Sequence, residues 1–100
     1  MKFSESQIAR VIDTIKKVLL SNGFSEDYHG NLVITKKEYQ SSTQYRFKFQ
    51  NRQVSIQGRN GYSPWSKVES DYYENVKILQ NGFSIKGNVF ELQGKRKFEL

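Results

Sequence analysis

The sequence contains no cysteine and a single histidine in 100 residues. The lack of cysteine excludes disulfides, a thiolate nucleophile and any cysteine-containing zinc site. It fits a reducing compartment or a protein that is indifferent to redox state. The histidine, His29, lies in a turn-like stretch at 26–31 with no second ligand at a metal-binding spacing. We therefore expect a cytoplasmic protein that binds no metal and no cofactor.

Long apolar runs are also missing: the longest has three residues, whereas a membrane span needs roughly 20. Glycine-rich phosphate loops and nucleophile elbows are absent from the sequence. Three acidic residues cluster at Glu69, Asp71 and Glu74, but their spacing does not place all of them on one side of a short helix. We expect no membrane association and no enzymatic activity. A metal-free ribonuclease-type toxin is a distant third hypothesis, suggested by the basic composition alone.

The chain is long enough for one domain, 1–100, and its hydrophobic content of 36% is sufficient for a core. Ser4 and Gln7 form a capping-box pattern, which predicts that a helix begins directly after Ser4. Apolar residues then recur every three or four positions over 8–19, and the Asn-Gly pair at 22–23 is a typical helix stop. The pattern predicts an amphipathic helix with one buried face.

Beyond residue 30 the apolar period changes to two. The segment 45–50 alternates aromatic and polar residues, which places Phe47 and Phe49 on one buried face. A two-residue turn at 51–52 pairs Phe47 with Ile56 and keeps both faces consistent. This hairpin is preceded by an apolar run that reads as a strand, whose register we leave open.

The last third of the chain carries two dipeptides that favour tight hairpins, Asn-Gly at 81–82 and Gly-Asn at 87–88. The first pairs Ile78 with Ile85, and the second continues the same apolar face into another strand. A three-residue loop at 94–96 would add a final strand.

Between the two β regions, Ser63 followed by Pro64 is a helix-start pattern, and we predict one short helix through about Tyr73. The predicted fold is α+β: an N-terminal amphipathic helix packs on a mostly antiparallel sheet of about six or seven short strands. These strands form two meanders, with a loop and a short helix between them.

Basic residues outnumber acidic ones by 16 to 10, and the excess is concentrated at 30–60, with six basic residues against one acidic. The polar face and turn of the middle hairpin supply candidate phosphate contacts: Arg46, Lys48, Gln50, Arg52, Gln57 and Arg59. We therefore predict a binding module associated with DNA or RNA. Exposed sheet faces also carry Lys and Arg for solubility alone, so the pattern does not exclude a purely solvating face.

Aromatic residues in the segment 58–73 suggest an alternative. Tyr62, Trp65 and Tyr73 lie in a glycine-flanked stretch without strong periodicity, and Trp, Tyr and Arg dominate binding hot spots. A small inhibitor or accessory protein would dock on its partner through this segment. The sequence leaves open whether Trp65 belongs to such a surface or plugs one end of the core.

Overall fold

The structure is a computed structural model that describes residues 2–92. Its elements in chain order are α1 Glu5–Ser21, β1 Ser25–Glu26, β2 Leu32–Glu38, β3 Ser41–Gln50, β4 Gln53–Asn60, β5 Ser66–Tyr72, a 3-10 turn Tyr73–Asn75, β6 Lys77–Leu79, β7 Gly82–Ile85 and β8 Asn88–Glu91. Strands β1 to β5 form one antiparallel sheet in chain order, and β6 to β8 form a second. The predicted α+β fold class is confirmed.

Helix α1 begins as its capping box predicts. The Ser4 hydroxyl accepts a hydrogen bond from the Gln7 amide, and the Gln7 side chain accepts one from the Ser4 amide. At the other end Gly23 has a φ of +92°, and the Phe24 amide donates to the carbonyl of Leu19, which closes the last turn. Within the described residues no helix is long and apolar enough to cross a membrane.

The middle hairpin has the predicted register. Phe47 lies opposite Ile56 and Lys48 opposite Ser55, across a turn at 51–52 in which both residues have positive φ. Two positive φ angles define the type I′ turn, whose twist matches that of the strands. The register left open before this hairpin is set by a turn at 39–40.

The core lies on one side of the five-stranded sheet, beneath α1 and the second sheet. Phe47 is fully buried at its centre, and the rings of Phe24, Phe83 and Phe90 meet it edge-on at centroid distances of 5.6, 6.4 and 5.6 Å. Edge-to-face contacts of this kind are favoured by the aromatic quadrupole. The burial of the hairpin aromatics confirms the predicted inner face.

The predicted short helix after Pro64 is wrong. Residues 66–72 form strand β5, and the helical element between the sheets is the three-residue 3-10 turn that follows. Val68 and Tyr72 are 50% and 54% exposed, so they do not form a buried helix side. The strand prevails because it pairs with the backbone groups of β4, which local capping signals do not take into account.

The predicted registers of the second sheet are wrong by two residues. Ile78 lies opposite Phe83, with the turn at 80–81, and the next turn moves to 86–87. Lys86 and Gly87 both have positive φ, as a type I′ turn at 86–87 requires. Gly82 therefore lies inside β7 and not in a turn, and a Cβ there would overlap the carbonyl oxygen of Phe90. A shift of two keeps the same side chains on each face. The predicted loop at 94–96 lies outside the described residues.

Candidate nucleic-acid interface

The side of the five-stranded sheet that points away from the core carries the candidate site. Alternation along each strand and pairing between strands place Arg46 opposite Gln57, and Gln57 opposite Lys67, on this side. Five cations share it: Lys37, Arg46, Lys48, Arg59 and Lys67. We call this surface the basic face. Every strand residue on it is half-buried or exposed.

Acidic side chains of the same strands point to the opposite side. Glu69 lies opposite Ile56 and Asp71 opposite Val54, on the inner face of the sheet. The Glu69 carboxylate forms a salt bridge of 3.3 Å with Lys86, in the turn between β7 and β8. Among the described strand residues, the basic face therefore carries no Asp or Glu.

A β-bulge in β5 brings Lys67 to the basic face. The register shifts between Ile56 and Gln57, so that Glu69 and Lys67 lie opposite consecutive residues of β4 while Val68 has no partner. Without the extra residue Lys67 would lie opposite Gly58 and point inward. The bulge thus separates the charges of β5, with the cation on one side of the sheet and the acids on the other.

Trp65 lies over the basic face in contact with two guanidinium groups. The Cζ atoms of Arg46 and Arg59 are 4.3 and 4.4 Å from the centroid of its ring, well within cation–π range. The indole is half-buried and is not part of the hydrophobic core. This answers the question that the sequence left open, because Trp65 is a surface residue of the sheet and not a plug.

Two glutamines fix the orientation of these guanidinium groups. Arg46 Nε donates to Gln57 Oε1 at 2.6 Å, and Arg59 Nε donates to Gln44 Oε1 at 2.6 Å. Burial, followed by the charge of Arg59, lowers the pKa of Arg46, and the charge of Asp27 opposes this without cancelling it. Within the described residues no salt bridge neutralises either arginine. The cluster therefore holds two like charges close together and ready for an anion.

Three further residues were predicted as phosphate contacts on this face, and the structure places them differently: Lys48, Gln50 and Gln57. Lys48 is half-buried opposite Ser55, and Gln57 is occupied by its bond to Arg46. Gln50 is exposed at the end of β3. Lys48 thus joins the basic face as a free cation, whereas Gln57 acts as a support.

Arg52 lies apart from the basic face. Its guanidinium Nη2 donates to the Phe3 carbonyl at 2.9 Å and forms a 3.0 Å salt bridge with Glu74 Oε2. Glu74 Oε2 also accepts a hydrogen bond from the Phe3 amide at 3.1 Å. We call this cluster the clasp. The charge of Arg52 is therefore already paired within the clasp, which disfavours the predicted phosphate contact of this residue.

The three aromatic residues predicted to form a protein-partner surface, Tyr62, Trp65 and Tyr73, do not lie on one surface. Tyr73 is 3% exposed, and burial raises its pKa to about 12, so its assignment to a partner surface is corrected. The 3-10 turn carries it into the core beside α1. Tyr62, by contrast, is fully exposed at the loop between β4 and β5. Only Tyr62 and Trp65 of the three remain available at the surface.

His29 is held in an exposed turn, where the backbone amides of His29 and Asn31 donate to Asp27 Oδ1 at 2.9 Å. Burial acts to raise the pKa of Asp27, but these hydrogen bonds outweigh it and lower the pKa. Over residues 2–92 no group of three or more His, Asp or Glu side chains is arranged to hold a metal ion.

Sequence reasoning missed four contributors to the basic face: Lys37, Gln44, Lys67 and Trp65. The side on which Lys37 lies depends on the register of β2, which the sequence left open. Gln44 lies two positions before Arg46 in β3 and therefore on the same side of the sheet. The sequence could have predicted this if the strand had been taken to begin before residue 45. Lys67 depends on the bulge, and the position of Trp65 depends on how its loop folds back. Neither of these last two has a local sequence signal.

Comparisons with protein-family models, curated proteins and solved structures found no match to this chain. An α+β architecture hosts many unrelated activities, so the fold does not select one.

Proposed function

We propose that the protein is a non-enzymatic module that binds nucleic acid through the basic face. The observation that carries this proposal is the presence of five cations and no carboxylate among the described strand residues on that side of the sheet. Cations at these positions neutralise phosphates and release the counterions condensed around them, which is the main source of affinity for nucleic acids.

The arrangement is more specific than a solubilising surface requires. Soluble surfaces normally mix both signs of charge, whereas here the acids of β5 lie on the inner side, with Glu69 paired to Lys86. In addition, Arg46 and Arg59 are held by glutamines through Nε alone. The two terminal amino groups of each guanidinium remain available for a bidentate contact with phosphate.

The test is the salt dependence of oligonucleotide binding, measured by fluorescence anisotropy. Affinity should fall with salt at about 0.9 log units per log unit for each duplex phosphate contacted, or about 0.7 for a single strand. The double variant Lys48→Gln with Lys67→Gln should lower this slope by about two contacts. Both lysines belong to the basic face and neither forms a salt bridge in the described structure.

The matched control is Lys17→Gln with Lys77→Gln. Both lysines are exposed, one on α1 and one on β6, and the pair removes the same charge from other surfaces. The control should leave the slope unchanged. An equal loss in both double variants, or no binding at about 50 mM salt, would mean that the positive charge only confers solubility.

A protein partner that docks through the segment 58–73 is the second candidate. It is favoured by the fully exposed Tyr62 and by a neighbouring groove of about 290 Å³ that is bordered by Tyr45, Pro64 and Val68. Under this hypothesis Tyr62→Ala abolishes association with a copurifying protein and leaves oligonucleotide affinity unchanged.

A further inference from the structure

We infer that the nucleic acid on the basic face is single-stranded, with a base stacked on Trp65 and phosphates held by the surrounding cations. This inference rests on the proposed function and adds the class of ligand. Three features carry it: the width of the face, the chemistry around the indole and the free donors of the two arginines.

The width of the basic face does not fit a duplex groove. Its cations extend from Lys37 on β2 to Lys67 on β5. Neighbouring strands lie about 4.8 Å apart, so four strands span about 14 Å between backbone centres. The major groove of B-form DNA is roughly 12 Å wide and admits a helix or a two-stranded ribbon. A face of this breadth can touch a duplex only along its outer phosphates.

Helix α1 does not supply a reading element in its place. Its exposed side carries Arg10, Asp13 and Lys17, which mix both signs of charge. A recognition helix needs a face that is attracted to the phosphates on both sides of the groove. Within the described residues the dominant positive surface is therefore the open sheet, which suits a strand laid across it.

The indole lies where a base would be expected. Proteins that bind single strands combine a cationic path for the backbone with aromatic rings on which bases stack. Trp65 lies 4.3 Å from the Arg46 guanidinium carbon and 4.4 Å from that of Arg59, measured to its ring centroid. The indole is only partly exposed, so the base stacks on the part of the ring that the two guanidinium groups leave open. Its flanking phosphates then meet the two arginines, whose Nε atoms are already occupied by glutamines.

The chain provides its own reporter, because Trp65 is its single tryptophan. We would titrate the protein with an oligothymidylate of about 12 nucleotides, a length within the usual site sizes. An abasic strand with the same number of phosphates shows how much of the affinity comes from the bases. A duplex with the same number of phosphates shows whether the protein prefers single-stranded to double-stranded DNA. The oligothymidylate should quench the tryptophan fluorescence and bind about tenfold more tightly than the abasic strand.

Two variants test whether the indole is the stacking surface. Trp65→Leu should remove the preference for the oligothymidylate over the abasic strand without changing the salt slope, because the phosphate contacts remain. Trp65→Phe should retain part of the preference. Thermal unfolding checks that each variant folds. The comparison of the three oligonucleotide probes uses the unaltered protein and therefore does not depend on either variant.

The outcomes separate this inference from the proposed function. Equal affinity for the three probes, with a steep salt dependence and no quenching, would overturn the single-strand inference and leave nucleic-acid binding in place. Tighter binding to the duplex would do the same. No binding to any probe at about 50 mM salt would overturn both.

Discussion

The three arginines of the middle hairpin show how neighbours decide the role of a residue. Arg46 and Arg59 contact Trp65 and form no salt bridge within the described residues, whereas Arg52 is paired with Glu74. Alternation along the strand correctly predicted the side on which Arg46 lies. It carried no information about the carboxylate that reaches Arg52 from 22 positions further along the chain.

Tyr73 makes a prediction at the same scale. Burial raises its pKa from 10.0 to about 12, so the folded state favours the neutral phenol. The stability that this provides is complete below pH 10.0 and is lost as the pH rises toward about 12. Tyr73→Phe should remove this alkaline loss, as measured by urea unfolding at increasing pH.

The exposed Tyr62 provides the control for that measurement. Tyr62→Phe changes a phenol that is fully solvated, so the alkaline loss of stability should remain as in the unaltered protein. If Tyr73→Phe and the unaltered protein lose stability in parallel, the phenol of Tyr73 is not held neutral by the core.

At the scale of elements, prediction succeeded where the signals are local. The capping box set the start of α1, and alternation with a two-residue turn set the register of β3 and β4. It failed where a partner distant along the chain decides the structure. Strand β5 forms because β4 is available to pair with it. Gly82 lies inside β7, with its backbone close to that of Phe90 in β8, and the Asn-Gly turn signal did not take this pairing into account.

Gly82→Ala tests that contact. A Cβ at this position meets the backbone carbonyl of Phe90, which cannot move away without breaking the pairing of β7 and β8. We expect a loss of at least about 3 kcal/mol in the free energy of unfolding, at the upper end of overpacking costs. Urea unfolding monitored by circular dichroism gives this value.

Gly87→Ala is the matched control. Gly87 has a φ of +84° and no atom near the position of a Cβ, so alanine there costs only the left-handed conformation, about 1 to 2 kcal/mol. Similar losses at the two positions would show that β7 and β8 can separate enough to admit a methyl group.

At the scale of the whole molecule, one sheet divides the protein into a core side and a basic side. The division was predictable for the middle hairpin, where apolar and basic residues alternate. The remaining parts of the two sides were not predictable, because they come from elements distant along the chain. Helix α1 and the second sheet cover the core side, and the bulge in β5 and the loop of Trp65 complete the basic face. The proposed function depends on this completed face and not on the net charge alone.

The clasp joins three distant parts of the chain and makes the fold sensitive to acid. Hydrogen bonds from the Arg52 guanidinium and the Phe3 amide lower the pKa of Glu74 below its usual 4.5. A depressed folded-state pKa stabilises the protein above the ordinary pKa, and this stabilisation is lost as the pH falls through the folded-state value. Glu74→Gln should therefore be less stable than the unaltered protein at neutral pH, with a difference that shrinks below pH 4.5.

Arg52→Gln tests the same clasp from its other partner. It removes the largest cause of the lowered Glu74 pKa, so thermal unfolding should again show a loss at neutral pH that diminishes in acid. Because Arg52 is paired within the clasp and lies apart from the basic face, this variant should retain the oligonucleotide salt slope of the unaltered protein. A slope reduced by one contact would return Arg52 to the nucleic-acid site.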